Sequence, residues 1–289
     1  MYLLLTLKVP RELAETLEEE FYGYNGLSWE TEEFEGEVHF KFYFPISLKP
    51  EDEKKLDFLE KLSAKFEEVN VQYSLLKREN WEEIWKYHFK PLKIGKKFLI
   101  LPPWEEAPYE EDLIPVYIDP GQAFGTGHHP TTQLMLENLE LFLEEICKIK
   151  EEPFILDMGC GSGILAIAGA LLCPKAKIYA VDIDELALEA TQKNAHLNKV
   201  SSQIFIIKEL PQDSSLKFHL ILSNIGFREL KKLAPFFKEK SFPGETILLL
   251  SGILREDLKE LEDIYLTLGF RRIKTQFQKE WALLALRSS

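Results

Sequence analysis

The chain has 289 residues, of which 45% are hydrophobic, and its formal net charge is −13. This length exceeds what a single core usually reaches, and the hydrophobic content excludes a disordered chain, so we expect two globular domains. The negative charge disfavours nucleic acid as a partner, and the lack of a long apolar run excludes a membrane-spanning helix.

The first part of the chain predicts a small α+β domain, which we place at residues 1–77. The pattern consists of strand YLLLTLKV, a helix that begins at Pro10, strands LSWETEEF and EVHFKFYF, a helix that begins at Pro50, and strand VNVQYSLLK. The resulting order, β-α-β-β-α-β, is that of ferredoxin-like domains. Such a fold does not by itself specify a function.

Residues 78–104 are predicted to connect this domain to the rest of the chain. The segment RENWEEIWKYHFK is typical of a helix, because Trp81 and Trp85 are four residues apart and would share one face. A turn at Gly95 and the strand KFLIL follow.

Residues 105–289 predict a Rossmann-like α/β domain. From Thr131 onward, helical segments alternate with short apolar strands, among them FILDM, KIYAVDI, HLILSNI and TILLLSG. This alternation is typical of a parallel sheet that is covered by helices on both faces. Ligands of such sheets bind at the carboxyl ends of the strands.

The segment LDMGCGSGILAIA indicates a nucleotide-binding turn. A buried strand ends at Asp157, the residues Gly159, Gly161 and Gly163 have no Cβ to obstruct a ligand, and a helix begins immediately. A dinucleotide fingerprint would have the spacing G-x-G-x-x-G and would hold pyrophosphate. The spacing G-x-G-x-G behind an acid disfavours a phosphate and favours a cationic amino-acid group.

A second acid, Asp182, ends the next strand, at the position where an acid binds ribose hydroxyls. An adenosine ligand with an amino-acid tail, a cationic centre and no phosphate is S-adenosylmethionine, which we therefore expect as the cofactor. The alternative is a tight strand-to-helix turn with an aspartate that faces solvent.

Asn224 ends the strand HLILSNI, over the same edge of the predicted sheet. Its amide oxygen can accept an N–H from a substrate amine and aim the lone pair of that amine at a methyl group, so we predict a catalytic role. From this stretch alone, Asn224 could instead be the N-cap of a helix that starts with FREL.

Two sets of motifs resemble known families. LDMGCGSGILAIA, AVDID and SNI resemble the motifs of class I S-adenosylmethionine-dependent methyltransferases. DPGQAFGTGHHPTT, together with NWEEIW and FKPLKIG, resembles the PrmA family, whose members methylate amines of ribosomal large-subunit protein eleven. The resemblance covers nearly the whole chain and implies a ferredoxin-like recognition domain followed by a methyltransferase domain.

The resemblance also implies roles for individual residues. The positions that match cofactor contacts in the family are Thr132, Gly159, Asp182 and Asn224, and Gly161 belongs to the same glycine turn. The segment NIGF, which starts at Asn224, departs from the family, where Asn-Ile-Leu and a small residue are usual. This departure concerns the shape of the substrate pocket.

The loop DPGQAFGTGHHPTT, from Asp119 to Thr132, is placed beside the cofactor by the same resemblance. There Phe124 could contact the sulfonium or the target ammonium by cation–π attraction, so we include it among the cofactor-binding residues. The glycines would let the loop fold closely over the ligand as a lid. We expect no metal site, because adjacent side chains such as His128 and His129 rarely point the same way.

The predicted reaction is the attack of a neutral amine, from a lysine side chain or an N-terminus, on the methyl group of S-adenosylmethionine. Desolvation beside the sulfonium would have to favour the uncharged amine, and His129 or water could accept its proton. The alternatives are a methyltransferase that acts on RNA, on another protein lysine or on glutamine, a nicotinamide dehydrogenase, and a ribosome-binding module without catalysis.

The expected partner is a basic ribosomal protein. A run from Glu12 to Glu37 contains many acids and no Lys or Arg, and is either a solvated face or a recognition surface for that partner. Cys147, Cys160 and Cys173 are odd in number and show no CxxC spacing, so the sequence indicates neither a disulfide nor a zinc site. We expect a cytoplasmic monomer that contacts neither nucleic acid nor membrane.

Overall fold

The structure is a computed structural model, and the chain divides into two compact units, Met1–His88 and Phe89–Ser289. The described residues are 2–24, 29–34, 36–45, 50–66, 68–76, 90–107, 112–119, 124–210 and 215–289. The predicted helix that contains Trp81 and Trp85 lies outside these ranges. Within them, no helix combines the length and the apolar character that crossing a membrane requires.

In the first unit the helices and strands follow the predicted order. They are β1 (Tyr2–Pro10), α1 (Arg11–Gly23), β2 (Glu30–Phe34), β3 (Glu37–Pro45), α2 (Pro50–Ser63) and β4 (Asn70–Leu76). The strands form an antiparallel sheet in the order β2-β3-β1-β4. Strand β3 therefore lies between β1 and β2, the two strands that α1 connects.

The core of this unit lies between the sheet and its helices. Strand β3 alternates between buried and half-buried residues, as a strand with one covered face does. Phe21 of α1 meets Phe40 and Phe42 of β3 edge-on, with centroid distances of 5.1 Å in both pairs. Such pairs contribute about 0.5–1.5 kcal/mol beyond their buried area. Leu17 of α1 and Leu59 of α2 belong to the same cluster.

The second unit contains two sheets. Its elements are β5 (Leu92–Ile94), β6 (Phe98–Leu101), β7 (Ile114–Tyr117), α3 (Pro130–Ile149), β8 (Phe154–Met158), α4 (Ile164–Leu172), β9 (Lys177–Val181), α5 (Glu185–Leu197), β10 (Ile204–Ile207), β11 (Leu220–Asn224), α6 (Phe227–Glu239), β12 (Ile247–Leu254), α7 (Leu258–Thr267), β13 (Phe270–Gln278) and β14 (Trp281–Ser288). Strands β5, β6 and β7 form a small sheet, and the large sheet has the order β10-β9-β8-β11-β12-β14-β13.

The large sheet is mixed, so the expectation of a parallel sheet is wrong for its last two strands. Strands β8 to β12 pair in parallel, whereas β14 is antiparallel to both β12 and β13. The turn between β13 and β14 contains Lys279, whose φ is 53°. Tight hairpins usually carry Gly, Asn or Asp in this left-handed conformation, and without such a residue the sequence did not indicate the hairpin.

Different helices cover the two faces of the large sheet. Leu139 of α3 packs in one core cluster with Ile155, while Leu230 of α6 and Leu261 of α7 pack in another with Leu156. Because successive residues of a strand point to opposite faces, the neighbours Ile155 and Leu156 enter different cores. The strand order runs outward from β8 in both directions, and the carboxyl ends of β8 and β11 therefore flank a topological switch point.

Cys147 and Cys173 form a disulfide, with their Cα atoms 6.4 Å apart, contrary to the expectation from the sequence. Cys147 lies in the last turns of α3, and Cys173 caps the C-terminus of α4. Side-by-side packing of the two helices brings these residues together, and their spacing along the chain gives no sign of it. Cys160 is a buried free thiol.

Candidate active site

A cavity of about 600 Å³ opens at the carboxyl ends of β8, β9 and β11. It therefore lies at the switch point of the sheet, where ligands of open α/β sheets bind. The residues predicted to contact the cofactor line it, and they are Phe124, Thr132, Gly159, Gly161, Asp182 and Asn224. The fold thus brings together the loop before α3, the glycine turn, and the ends of β9 and β11.

The glycine turn between β8 and α4 is held by its own backbone amides. The amides of Gly159 and Cys160 donate to the carbonyl of Val181 at 2.8 and 3.1 Å, and that of Gly161 donates to Oδ2 of Asp182 at 3.0 Å. Gly159 and Gly161 have φ values of 80° and 54°, in the left-handed region that favours glycine. The turn is thereby fixed against the end of β9.

The carboxylate of Asp182 is half-buried in the cavity wall, and its orientation is set by two backbone groups. Oδ2 accepts from Gly161, and Oδ1 accepts from the amide of Asp184 at 3.0 Å. A carboxylate offers about four acceptor positions, so both oxygens can still accept from a ligand hydroxyl.

The described part of the loop before α3 lies directly against the glycine turn. The amide of Ser162 donates to the carbonyl of Phe124 at 2.8 Å, and Oγ of Ser162 donates to the carbonyl of Gly125 at 2.6 Å. The side chain of Phe124 is 57% exposed and lines the cavity. Residues 120–123 of the predicted lid lie outside the described ranges.

His129 is the N-cap of α3. Its Nδ1 accepts from the amide of Thr131 at 3.3 Å, and its ring packs edge-on against Phe124 and Trp281, with centroids 5.4 and 4.8 Å away. Burial lowers the pKa of His129, and also that of His128. In the part of the chain that the structure describes, no three His, Cys, Asp or Glu side chains are grouped as metal ligands.

Asn224 and Thr132 face each other across the cavity wall. Nδ2 of Asn224 donates to Oγ1 of Thr132 at 3.5 Å, whereas the buried Oδ1 has no hydrogen-bond partner among the described residues. An unpaired buried acceptor costs about 1–3 kcal/mol, and here it belongs to a residue that lines the cavity. The N-cap of α6 is Gly226, and the alternative interpretation of Asn224 as a helix cap is therefore wrong.

Asp157 is fully buried next to the glycine turn. It is not one of the described residues that line the cavity. Its Oδ2 accepts a hydrogen bond from the amide of Ala166 at 3.1 Å. Its Oδ1 has no hydrogen-bond partner among the described residues. Burial, assisted by the nearby charge of Asp182, raises the pKa of Asp157 to about 7. Asp157 is therefore placed to influence a cationic ligand only through space, and only in its ionised form.

Sequence reasoning missed several residues of the site. Met158, Ile183 and Leu233 line the cavity as apolar neighbours of the predicted polar groups. Thr191 of α5 stabilises the glycine turn, since its Oγ1 donates a hydrogen bond to the carbonyl of Gly161 at 3.0 Å. Met158 and Ile183 could have been found because each is next to a predicted residue in the sequence. No local pattern marked Leu233 or Thr191.

Comparison with known proteins shows one consistent relationship. The family model described as ribosomal protein L11 methyltransferase (PrmA) matches residues 11–289. The ribosomal protein L11 methyltransferase of Trichlorobacter lovleyi is 36% identical over 87% of each chain, and that of Carboxydothermus hydrogenoformans is 34% identical over 91% of this chain and 86% of its own.

A solved structure agrees with these sequence relatives. The crystal structure of a ribosomal protein L11 methylase from Lactobacillus delbrueckii subsp. bulgaricus matches with a TM-score of 0.60 and 31% identity. The match covers 70% of this chain and 100% of that chain. The chain therefore belongs to the ribosomal protein L11 methyltransferase (PrmA) family.

Proposed function

We propose that this protein transfers methyl groups from S-adenosylmethionine to amines of ribosomal protein L11, on lysine side chains, the N-terminus or both. The observation that carries the proposal is Asn224, which lines the cavity together with the glycine turn and whose Oδ1 is buried without a hydrogen-bond partner among the described residues. The relatives that match most of the chain bear the name of this activity, which supports it further.

The residues of the cavity fit S-adenosylmethionine. A volume of about 600 Å³ suits a ligand of this size, and Gly159 and Gly161 are among the residues that line it. Asp182 can accept hydrogen bonds from the ribose hydroxyls. The acids Asp157 and Asp182 make the surroundings favourable for a cation, and the exposed ring of Phe124 adds a cation–π face.

When bound, S-adenosylmethionine supplies an electrophilic methyl group, and the protein has to position a neutral amine in line with it. Oδ1 of Asn224 would accept one N–H of that amine and so orient its lone pair. An amide oxygen is uncharged, and it therefore stabilises an ammonium ion less than a carboxylate would. Because Nδ1 of His129 is engaged at the N-terminus of α3, we favour water as the final proton acceptor.

We further propose that residues 1–77 form a ferredoxin-like domain that recognises the basic substrate. The strand order β2-β3-β1-β4, with β3 between the two strands that α1 connects, supports this fold. Glu33 and Glu32 of the acidic run form ion pairs with Arg11 and Lys41. Further acids of the run are exposed on α1 and could attract a basic protein. The limits 1–77, 78–104 and 105–289 stay predictions.

A ribosomal substrate supports a cytoplasmic location for the enzyme. The net charge of −13 disfavours direct binding of nucleic acid. We propose that it acts as a monomer. Analytical ultracentrifugation would test the monomer, and a dimer at working concentration would contradict it.

Mass spectrometry would test the proposed function directly. The full chain is incubated with ribosomal protein L11 and S-adenosylmethionine that carries an isotopic label in its methyl group. We expect the label on lysine side chains or the N-terminal amine of L11, and little label with the Asn224→Ala variant. Label on lysines of other proteins, on glutamine or in RNA would indicate a substrate different from the one proposed. Cofactor binding without any transfer would indicate a non-catalytic binding module.

A further inference from the structure

Asn194 of α5 joins the glycine turn to the end of the segment that follows β7. The side chain is only 1% exposed. Its Nδ2 donates to the carbonyl of Ser162 at 2.9 Å, and its Oδ1 accepts from the amide of Asp119 at 2.9 Å. One buried amide thus satisfies backbone groups from two segments that are distant in sequence.

Ser162 also binds the part of the loop that directly precedes α3. Its amide and hydroxyl donate to the carbonyls of Phe124 and Gly125, while its carbonyl accepts from Asn194. Asp119 and Phe124 are therefore both tied to the same residue of the glycine turn. Ser162 stands directly between Gly161, which lines the cavity, and Gly163, the N-cap of α4.

We propose that Asn194 is a positioning residue for cofactor binding, which acts by holding the carbonyl of Ser162 and with it the glycine turn. This inference rests on the proposed function, because it assumes that S-adenosylmethionine binds over the turn. An amide is required at this position, since it presents a donor and an acceptor on one planar group. A carboxylate would offer only acceptors, and one of them would face the carbonyl of Ser162.

Asn198, one helical turn further along α5, provides a matched control. Its Oδ1 accepts from the amide of Tyr117 at 2.8 Å, and its Nδ2 donates to the carbonyl of Tyr117 at 2.6 Å. Asn198 is 9% exposed. It therefore holds the neighbouring end of β7 from the same helix, and among the described residues its side chain makes no hydrogen bond to the glycine turn.

The test compares full-length Asn194→Ala and Asn198→Ala by calorimetry with S-adenosylmethionine and by urea unfolding. Both variants should unfold at lower urea concentration, because each loses buried hydrogen bonds to the backbone. Only Asn194→Ala should weaken cofactor binding, by about tenfold, which corresponds to about 1.4 kcal/mol. In steady-state assays with L11, its KM for the cofactor should rise while kcat stays close to that of the wild type.

A second pair of variants covers the case in which alanine prevents folding. Asn194→Asp and Asn198→Asp each keep the acceptor and lose the donor, so only the first should weaken cofactor binding. Equal changes of affinity in both variants of a pair, or wild-type affinity in Asn194→Asp, would make Asn194 merely structural and would overturn the inference. A wild-type protein that does not bind S-adenosylmethionine would instead overturn the proposed function, and this inference with it.

Discussion

The carbonyl oxygen of Phe124 lies 2.5 Å from the point that a Cβ on Gly161 would occupy. Carbon and oxygen atoms that are not bonded do not approach so closely, and this oxygen belongs to backbone that cannot easily move aside. The same carbonyl accepts the hydrogen bond from Ser162. The contact between loop and turn therefore requires glycine at position 161.

Replacing Gly161 by alanine should both destabilise the protein and weaken cofactor binding. The left-handed φ of 54° alone costs a residue with a side chain about 1–2 kcal/mol, and the clash with Phe124 adds to it. We expect calorimetry to show at least tenfold weaker binding of S-adenosylmethionine. Gly244→Ala is the control, because Gly244 has a φ of 76° and no atom near its Cβ position. If both variants lose the same stability and keep their affinity, the clash has no functional importance.

Replacing Asp182 by alanine should weaken S-adenosylmethionine binding by about 1.5–3 kcal/mol through the loss of charge-assisted hydrogen bonds to ribose. The variant also releases the amides of Gly161 and Asp184. Asp184→Ala serves as the comparison, since Asp184 caps α5 and accepts from Leu186 outside the cavity lining. Calorimetry that finds unchanged affinity for Asp182→Ala would remove this residue from the site.

Replacing Asn224 by alanine should reduce turnover far more than cofactor affinity. Misplacement of the attacking amine can cost about 10²-fold in rate, whereas the cofactor keeps its contacts with the turn and with Asp182. The measurements are kcat with L11 and the dissociation constant of S-adenosylmethionine. Thr132→Val, which removes the acceptor of the long hydrogen bond of 3.5 Å from Asn224 and keeps the amide of Asn224 itself, should have the smaller effect on kcat. Equal losses in kcat and affinity would make Asn224 a binding or structural residue.

The stability of the free protein should depend on pH through Asp157. Burial raises its pKa from 3.8 to about 7, so between these values the folded state binds more protons than the unfolded state. The contribution of Asp157 to stability therefore falls as pH rises from about 4 to 7. In urea unfolding, Asp157→Asn should gain stability relative to the wild type over that window. A constant difference between the two proteins from pH 4 to pH 8 would contradict the raised pKa.

Cofactor binding should release protons near neutral pH. A cation in the cavity lowers the pKa of Asp157, so affinity for S-adenosylmethionine should increase as pH rises through about 7. Calorimetry at pH 6.5 in two buffers with different ionisation enthalpies measures the protons released. Asp157→Asn should lose most of this release, and equal release in both proteins would assign it to another group.

A chain that begins at Arg78 should bind S-adenosylmethionine normally and methylate L11 poorly. The second unit contains every residue proposed to contact the cofactor, while the acidic run lies in the first. Because exposed charges are screened over about 8–10 Å, added salt should weaken substrate binding to the full chain. Full activity of the shortened chain, or salt-independent binding of L11, would show that the acidic run is only a solvated surface.

The sequence predicted the site residues whose positions depend on local structure, and it did not predict those that depend on contacts between distant segments. Residues at strand ends, such as Asp182 and Asn224, could be assigned because parallel strands place their carboxyl ends at one edge. The depth of Asp157 and the bridge made by Asn194 could not, because both depend on segments that meet only in the folded chain. The same holds for the disulfide between two helix ends.

Strand β13 forms one outer edge of the large sheet, and β10 forms the other. An outer strand exposes unpaired backbone groups that can pair with another chain and start aggregation. On β13 the side chains of Arg271 and Arg272 are exposed, and the register shifts between Arg272 and Lys274. Charge and irregular register both oppose such pairing, and β10 is only 4 residues long. Growth of the sheet from molecule to molecule is thus disfavoured at both edges.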